Sequence, residues 1–229
     1  MIPLKDDNPR VLIPFFNYGL ILCNVAVFIY QFSHPDPDLF VHAYGAIPAE
    51  IMSGQNWSSL ITGMFLHGGW LHLLGNMLYL WIFGDNVEGL MGHGRYLIFY
   101  LLCGLVATMA HIAVDPTSEI PMVGASGAIS GVLGAYVVKF PRARILILVP
   151  IVICLTTFRI PALFVLGFWF VKEVISGVVT IKREVGSQVA FFAHVGGFVA
   201  GLLFVKFFER RQNLELFRRR DSDDYPKWG

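Results

Sequence analysis

Five stretches of this 229-residue chain run for nineteen residues or more without one Asp, Glu, Lys or Arg: residues 11–32, 57–84, 96–114, 120–138 and 187–205. About twenty apolar residues at 1.5 Å rise each cover the roughly 30 Å of a bilayer's hydrocarbon. Within lipid only helices and closed barrels satisfy their own backbone groups, so runs of this length predict membrane helices. The composition agrees, with 55% hydrophobic and 14% charged residues and a mean hydropathy of +0.63. Such a balance excludes a nucleic-acid binder, a disordered chain and an ordinary soluble enzyme.

Residues 145–181 form a harder sixth region, because Arg159 and Pro161 interrupt it and Lys172 and Glu173 follow. We read 160–181 as a span whose charged pair lies toward one end, where Lys172 reaches the interface. Residues 145–158 contain Pro150 and are too short to cross, so they lie along the surface or fold back. The expected fold is therefore all-α, a polytopic bundle of six helices over residues 11–205, with residues 1–10 before it and a tail at 206–229. With both termini in the cytoplasm, fourteen of the seventeen basic residues fall on the cytoplasmic side, as the positive-inside rule requires. Neither a cleavable signal peptide nor a transit peptide is evident. The tail, basic and then acidic from Arg218 to Lys227, reads as a solvated end. Cys23, Cys103 and Cys154 sit in apolar stretches without paired spacing, which predicts core thiols rather than disulfides or a zinc site.

Polar groups are costly in hydrocarbon and direct attention to function. The second span carries His67, His72 and Asn76, the last two spaced four apart on one helical face. The fourth carries Ser126 between Gly124-Ala125 and Gly127, and the sixth carries His194 between Ala193 and Gly197. These three spans run in one direction, so Ser126 and His194 share a depth. Beside them run Gly127-x-x-x-Gly131 and Ala193-x-x-x-Gly197-x-x-x-Gly201, stripes that let helix backbones approach closely. An imidazole next to a serine hydroxyl can take its proton during attack and return it to a leaving amine. None of the three spans supplies an Asp or Glu, which predicts a dyad rather than a triad. His72, Asn76 and the Ser126 amide are candidate donors to the oxyanion.

The residues resemble the rhomboid family of intramembrane serine proteases. Gly124-Ala125-Ser126-Gly127 is similar to its GxSG motif, Ala193-His194 with Gly197 and Gly201 to its AHxxGxxxG, and His67, His72 and Asn76 to its HxxxxHxxxN. Gly84 to Glu88 is similar to a GxxxE motif that follows the second span. The resemblance implies cleavage of single-pass membrane proteins in or near their transmembrane segments, with no cofactor or metal and no nucleic-acid partner. It implies Ser126 as nucleophile, His194 as base, and His72, Asn76 and the Ser126 amide as the oxyanion hole, with Gly124, Gly127 and Gly197 supporting the site. His67, nearer the external water, would organise structure or water. The first external loop would lie partly in the membrane interface, and the fifth helix with its loop, residues 160–188, would act as a lateral gate in a bacterial inner membrane. Two positions depart from the family: Trp57-Ser58 stands where many members have Trp-Arg, and Ser130 where some carry an aromatic that stacks on the catalytic histidine. The imidazole must then be oriented in another way.

Other polar and aromatic residues read more plainly. His93 and His111 are expected to be solvated or satisfied, Lys172 and Glu173 interfacial, and Trp70, Trp81 and Trp169 mostly lipid-facing. Two alternatives to a protease are a binding protein of the same fold that escorts membrane clients, and a transporter whose His67, His72 and His194 ligate a cation.

Overall fold

The computed structural model describes residues 2–151, 154–183 and 190–224. The elements follow in the order β1 (Ile2–Asp6), α1 (Phe15–Ser33), α2 (Pro37–Tyr44), α3 (Pro48–Met52), α4 (Ser59–Thr62), a 3-10 turn (Gly63–Phe65), α5 (Trp70–Met91), α6 (His93–Val114), α7 (Ser126–Lys139), β2 (Arg144–Ile151), β3 (Cys154–Pro161), α8 (Ala162–Arg183), α9 (Phe191–Phe208) and α10 (Arg211–Asp224). Among the described residues, α1, α6, α9 and the Ala162–Val179 part of α8 are long and apolar enough to cross a membrane.

The other two expected spans differ from their prediction. The second begins at Trp70 rather than residue 57, because Gly68-Gly69 ends the irregular turns before it. It continues through Asp85, Asn86 and Glu88, all buried. The fourth keeps only 14 residues of helix, starting at Ser126. The residues before it are extended and hydrogen-bonded to the first loop, with Ala46 and Met122 exchanging backbone bonds and the Gly124 amide donating to the Gly63 carbonyl. The parts of the expected gate and sixth span at residues 184–189, and the tail from residue 225 with Lys227, lie outside the described residues.

Helix α7 is the axis of the bundle, buried from Gly127 to Val137. It packs parallel to α9 through glycine: a β-carbon on Gly197 would run into the Gly127 carbonyl, and one on Gly201 into the Gly131 carbonyl. Lipid tails are as apolar as leucine, so helices in a bilayer gain by close van der Waals approach rather than by expelling water. These glycines permit it. Helix α6 closes the third side, with Ala107 against Gly127 and Cys103 against Gly131. Cys23 and Cys103 are free thiols.

A three-stranded antiparallel sheet, in the order β1–β2–β3, covers the end of the bundle where the N-terminus lies. The described parts of the apolar 145–158 region therefore fold back on one another as antiparallel strands, one of the two expected arrangements. Ile145 and Ile147 are buried while their neighbours Leu146 and Leu148 are only partly so, the alternation of a strand with one face on a core. At the same end, α10 docks by Phe217, which is buried against Gly89 and Phe140. Asn213 donates to the Gly89 carbonyl. The part of the tail before Arg218 is thus packed on the bundle.

Two acids organise this face, Glu88 fully buried and Asp6 partly so. Glu88 accepts the backbone N–H groups of Phe16 and Asn17 at 3.1 and 2.7 Å, satisfying the first turn of α1, whose own N-cap residue is Pro14. A negative charge is favoured at that helix end. Glu88 also meets His93 Nδ1 at 2.5 Å, so His93 is satisfied as expected. Asp6 on β1 accepts from the Tyr136 hydroxyl at 2.5 Å and from Asn86 at 2.9 Å. Burial pushes the Asp6 carboxyl up to about 7, with the Tyr136 hydrogen bond opposing and Asp85 and Asp7 adding to the rise.

Two outcomes follow from these contacts. Gly201→Ala should lower the unfolding midpoint in detergent, overpacking costing about 1–3 kcal/mol, whereas Gly19→Ala, with nothing within 4 Å, should not. Folded Asp6 holds a proton that the unfolded chain releases, so stability falls as pH rises from about 4 to about 7 and then levels. Asp6→Asn should remove that slope, and its midpoint should gain on the wild type more at about pH 8 than at about pH 5.

Candidate active site

The first residue of α7 and the fourth of α9 meet at the end of the bundle opposite the sheet. Ser126 Oγ lies 2.8 Å from His194 Nε2. The register of the glycine stripe produces this contact, since Gly127 faces Gly197 and leaves the two side chains one turn or less away. Both groups border a cavity of about 1240 Å³, which His72, Asn76, Tyr79 and Trp169 also line. As the first residue of α7, Ser126 presents a backbone N–H with no intrahelical acceptor, at the end of the helix where negative charge is favoured.

Helix α5 supplies the facing wall, with His72 and Asn76 one turn apart. Gly124 has a φ of +122°, and a β-carbon there would lie 2.8 Å from His72 Nε2 and 3.6 Å from Asn76 Nδ2. Both polar side chains thus stand directly over the backbone that leads into Ser126, and glycine is needed there for conformation and for space. His72 Nδ1 accepts the Gly68 backbone N–H at 3.3 Å. A neutral imidazole accepting at one nitrogen carries its proton on the other, so Nε2–H is the donor directed at Gly124. Asn76 Nδ2 is buried and makes no hydrogen bond among the described residues.

His67 sits behind this wall. It is fully buried rather than close to external water. Its backbone is held by Gln31 of α1, which donates to the carbonyl at 2.7 Å and accepts from the amide at 3.2 Å. Its ring packs edge-on against His72, with centroids 5.1 Å apart, and near Phe28. It braces His72 and does not reach Ser126. His111 lines the cavity. Gly127 and Gly197 act through the backbone contact described above.

The structure also brings in two residues that sequence reasoning did not assign to the site. Glu173, expected at the interface, is 3% exposed, and its Oε2 meets His194 Nδ1 at 2.7 Å. Its Oε1 pairs with Lys172 Nζ at 2.8 Å, and it is Lys172, with 55% of its side chain exposed, that faces outward. Trp169, expected toward lipid, packs its ring on His194 with centroids 5.9 Å apart. Trp169 and Glu173 are four residues apart on one face of α8. Ser130 instead donates to the Ser126 carbonyl at 2.6 Å. The expected dyad is therefore accompanied by an acid, drawn from the fifth long helix rather than from the three spans searched for one. The available signal was the i, i+4 spacing of Trp169 and Glu173 on a helix next in sequence to His194.

Chemically the arrangement comprises a hydroxyl, an imidazole at hydrogen-bond distance and convergent N–H donors above the same backbone, all bordering one cavity. Residues 54–211 match the family model for the rhomboid domain. The chain is 41% identical over 93 residues to the rhomboid protease GluP of Bacillus subtilis, a match covering 41% of this chain and 18% of that protein. It is 29% identical over 194 residues to the mitochondrial rhomboid protein 1 of Saccharomyces cerevisiae, covering 82% and 51%. A third relative, the putative rhomboid protease YdcA of Bacillus subtilis, is 34% identical over 85 residues, covering 37% and 42%. The chain thus spans from about a fifth to about half of the length of these relatives. With the domain match extending over more than half of its residues, this chain belongs to the rhomboid family.

Proposed function

We propose that the protein is an intramembrane serine endopeptidase acting on single-pass membrane proteins in or near their transmembrane segments. One observation carries this reading, the 2.8 Å contact of Ser126 Oγ with His194 Nε2 beside the cavity. Ser126 attacks the scissile carbonyl carbon as His194 Nε2 takes its proton. The carbonyl π pair becomes an oxyanion directed at His72 Nε2–H, Asn76 Nδ2–H and the Ser126 amide. His194 then protonates the departing amine, which leaves an acyl-enzyme ester. Water, deprotonated by the same imidazole, hydrolyses that ester and regenerates Ser126. In a low-dielectric site an oxyanion without preorganised donors is prohibitively costly, which explains why α5 directs polar groups toward α7. The basic terminal face is read as cytoplasmic, in a bacterial inner membrane.

A fluorophosphonate probe and a model single-span substrate, applied to purified protein in detergent, test the assignment. Wild type should label and cleave, Ser126→Ala should do neither, and His194→Ala should keep only a small residual rate of each; labelling that persists in Ser126→Ala defeats it. Asn76→Ala should lose roughly 10²–10³-fold in kcat, the usual effect of deleting one oxyanion donor. Gly124→Ala should abolish cleavage by displacing His72 from the backbone it covers, with the unfolding midpoint serving as the control for folding.

A further inference from the structure

Resting on the reading just proposed, we infer that Glu173 is the positioning residue for His194, so that the machinery is a Ser126–His194–Glu173 triad whose acid is delivered by α8. The geometry is that of an acid, a base and a nucleophile in line. One ring nitrogen of His194 faces Ser126 at 2.8 Å and the other faces the Glu173 carboxylate at 2.7 Å. A carboxylate can only accept, so Nδ1 carries the proton and Nε2 presents its lone pair to the serine hydroxyl. When Nε2 takes up the serine proton, the ring becomes an imidazolium, and the adjacent anion offsets a charge that the surroundings would otherwise strongly disfavour. Glu173 gains or loses no proton in this cycle.

Three further features fit this role. The carboxylate is held at both oxygens, by His194 Nδ1 and by Lys172 Nζ, so its orientation is fixed. Trp169, one helical turn away, packs on the face of the same ring, and Phe170 stacks on Phe198 of α9 with centroids 4.6 Å apart. Helix α8 thus grips α9 around the imidazole. Position 130, a turn after the nucleophile, is turned to the Ser126 carbonyl instead, leaving the ring's orientation to α8.

The test compares wild type, Glu173→Gln, Glu173→Asp, His194→Ala and the double variant His194→Ala/Glu173→Gln. Each is measured for kcat and KM on the single-span substrate, for the rate of fluorophosphonate labelling at Ser126, and for unfolding midpoint. Glu173→Gln, close in shape, should keep KM and midpoint while kcat and labelling rate fall roughly 10²- to 10⁴-fold, the range over which loss of an orienting acid acts. Glu173→Asp should recover part of that loss. The double variant should be no slower than His194→Ala alone, because a residue acting through the imidazole has nothing left to position. Glu173→Gln within about threefold of wild type in kcat overturns the inference, as does a loss confined to KM or matched by a collapse of the midpoint. In those cases an intact Ser126 and His194 dependence leaves the protease reading standing. A wild type that neither labels nor cleaves overturns both.

Discussion

The contact between α7 and α9 is the constraint from which the rest of the molecule is built. At Gly127–Gly197 and Gly131–Gly201 the two helices meet backbone to backbone, with no room for a β-carbon. In water such an approach would compete poorly with burying leucines. In lipid it is among the few sources of specific helix association, because burying apolar side chains gains nothing over contact with acyl chains. The parallel register of the stripe also determines what lies just beyond it. Ser126 precedes the first glycine of one helix and His194 lies three residues before the first contacting glycine of the other, so packing and chemistry are specified by the same residues.

Around this axis the buried polar groups fall into two sets, one at each end. At the terminal face, Glu88 satisfies the open N–H groups of α1, and Asp6, Tyr136 and Asn86 tie β1 to α7 and α5. These contacts are structural, although Asn86 Oδ1 has no hydrogen-bond partner among the described residues. At the other end, Asn76 Nδ2 is buried without a hydrogen-bond partner among the described residues, and Gly124 adopts a backbone conformation that other residues rarely take. An unsatisfied donor and an unusual backbone conformation thus stand where chemistry is proposed, as expected when local stability is given up at functional sites.

Much of this was legible in the chain itself. The charge-free runs located the bundle, and the spacing of Ser126, His194 and the glycines located the candidate dyad, because depth and small-residue stripes survive translation from sequence to structure. The role of Glu173 was not legible. Next to Lys172, near the end of an apolar run, it reads as an interfacial residue, and only the rotation of α8 turns one of the pair inward and the other outward. Trp169 was hidden for the same reason. The strand pair β2 and β3 was obscured because a short apolar run rich in isoleucine and leucine has no period that separates helix from strand. Likewise, hydropathy counts the 57–69 segment toward a span without registering that Gly68-Gly69 breaks it.

The pairing of β1 with β2 and of α7 with α9 has a temporal consequence. Ile2 finds its partner Leu148 only after β2 has left the ribosome, and Ser126 meets the His194 imidazole only once α9 has entered the bilayer. Contacts this distant in sequence form late. A nascent chain halted before α9 would carry Ser126, His72, Asn76 and their scaffold, but not His194. On the proposed reading, hydrolysis is thereby withheld from the membrane until α9 is in place.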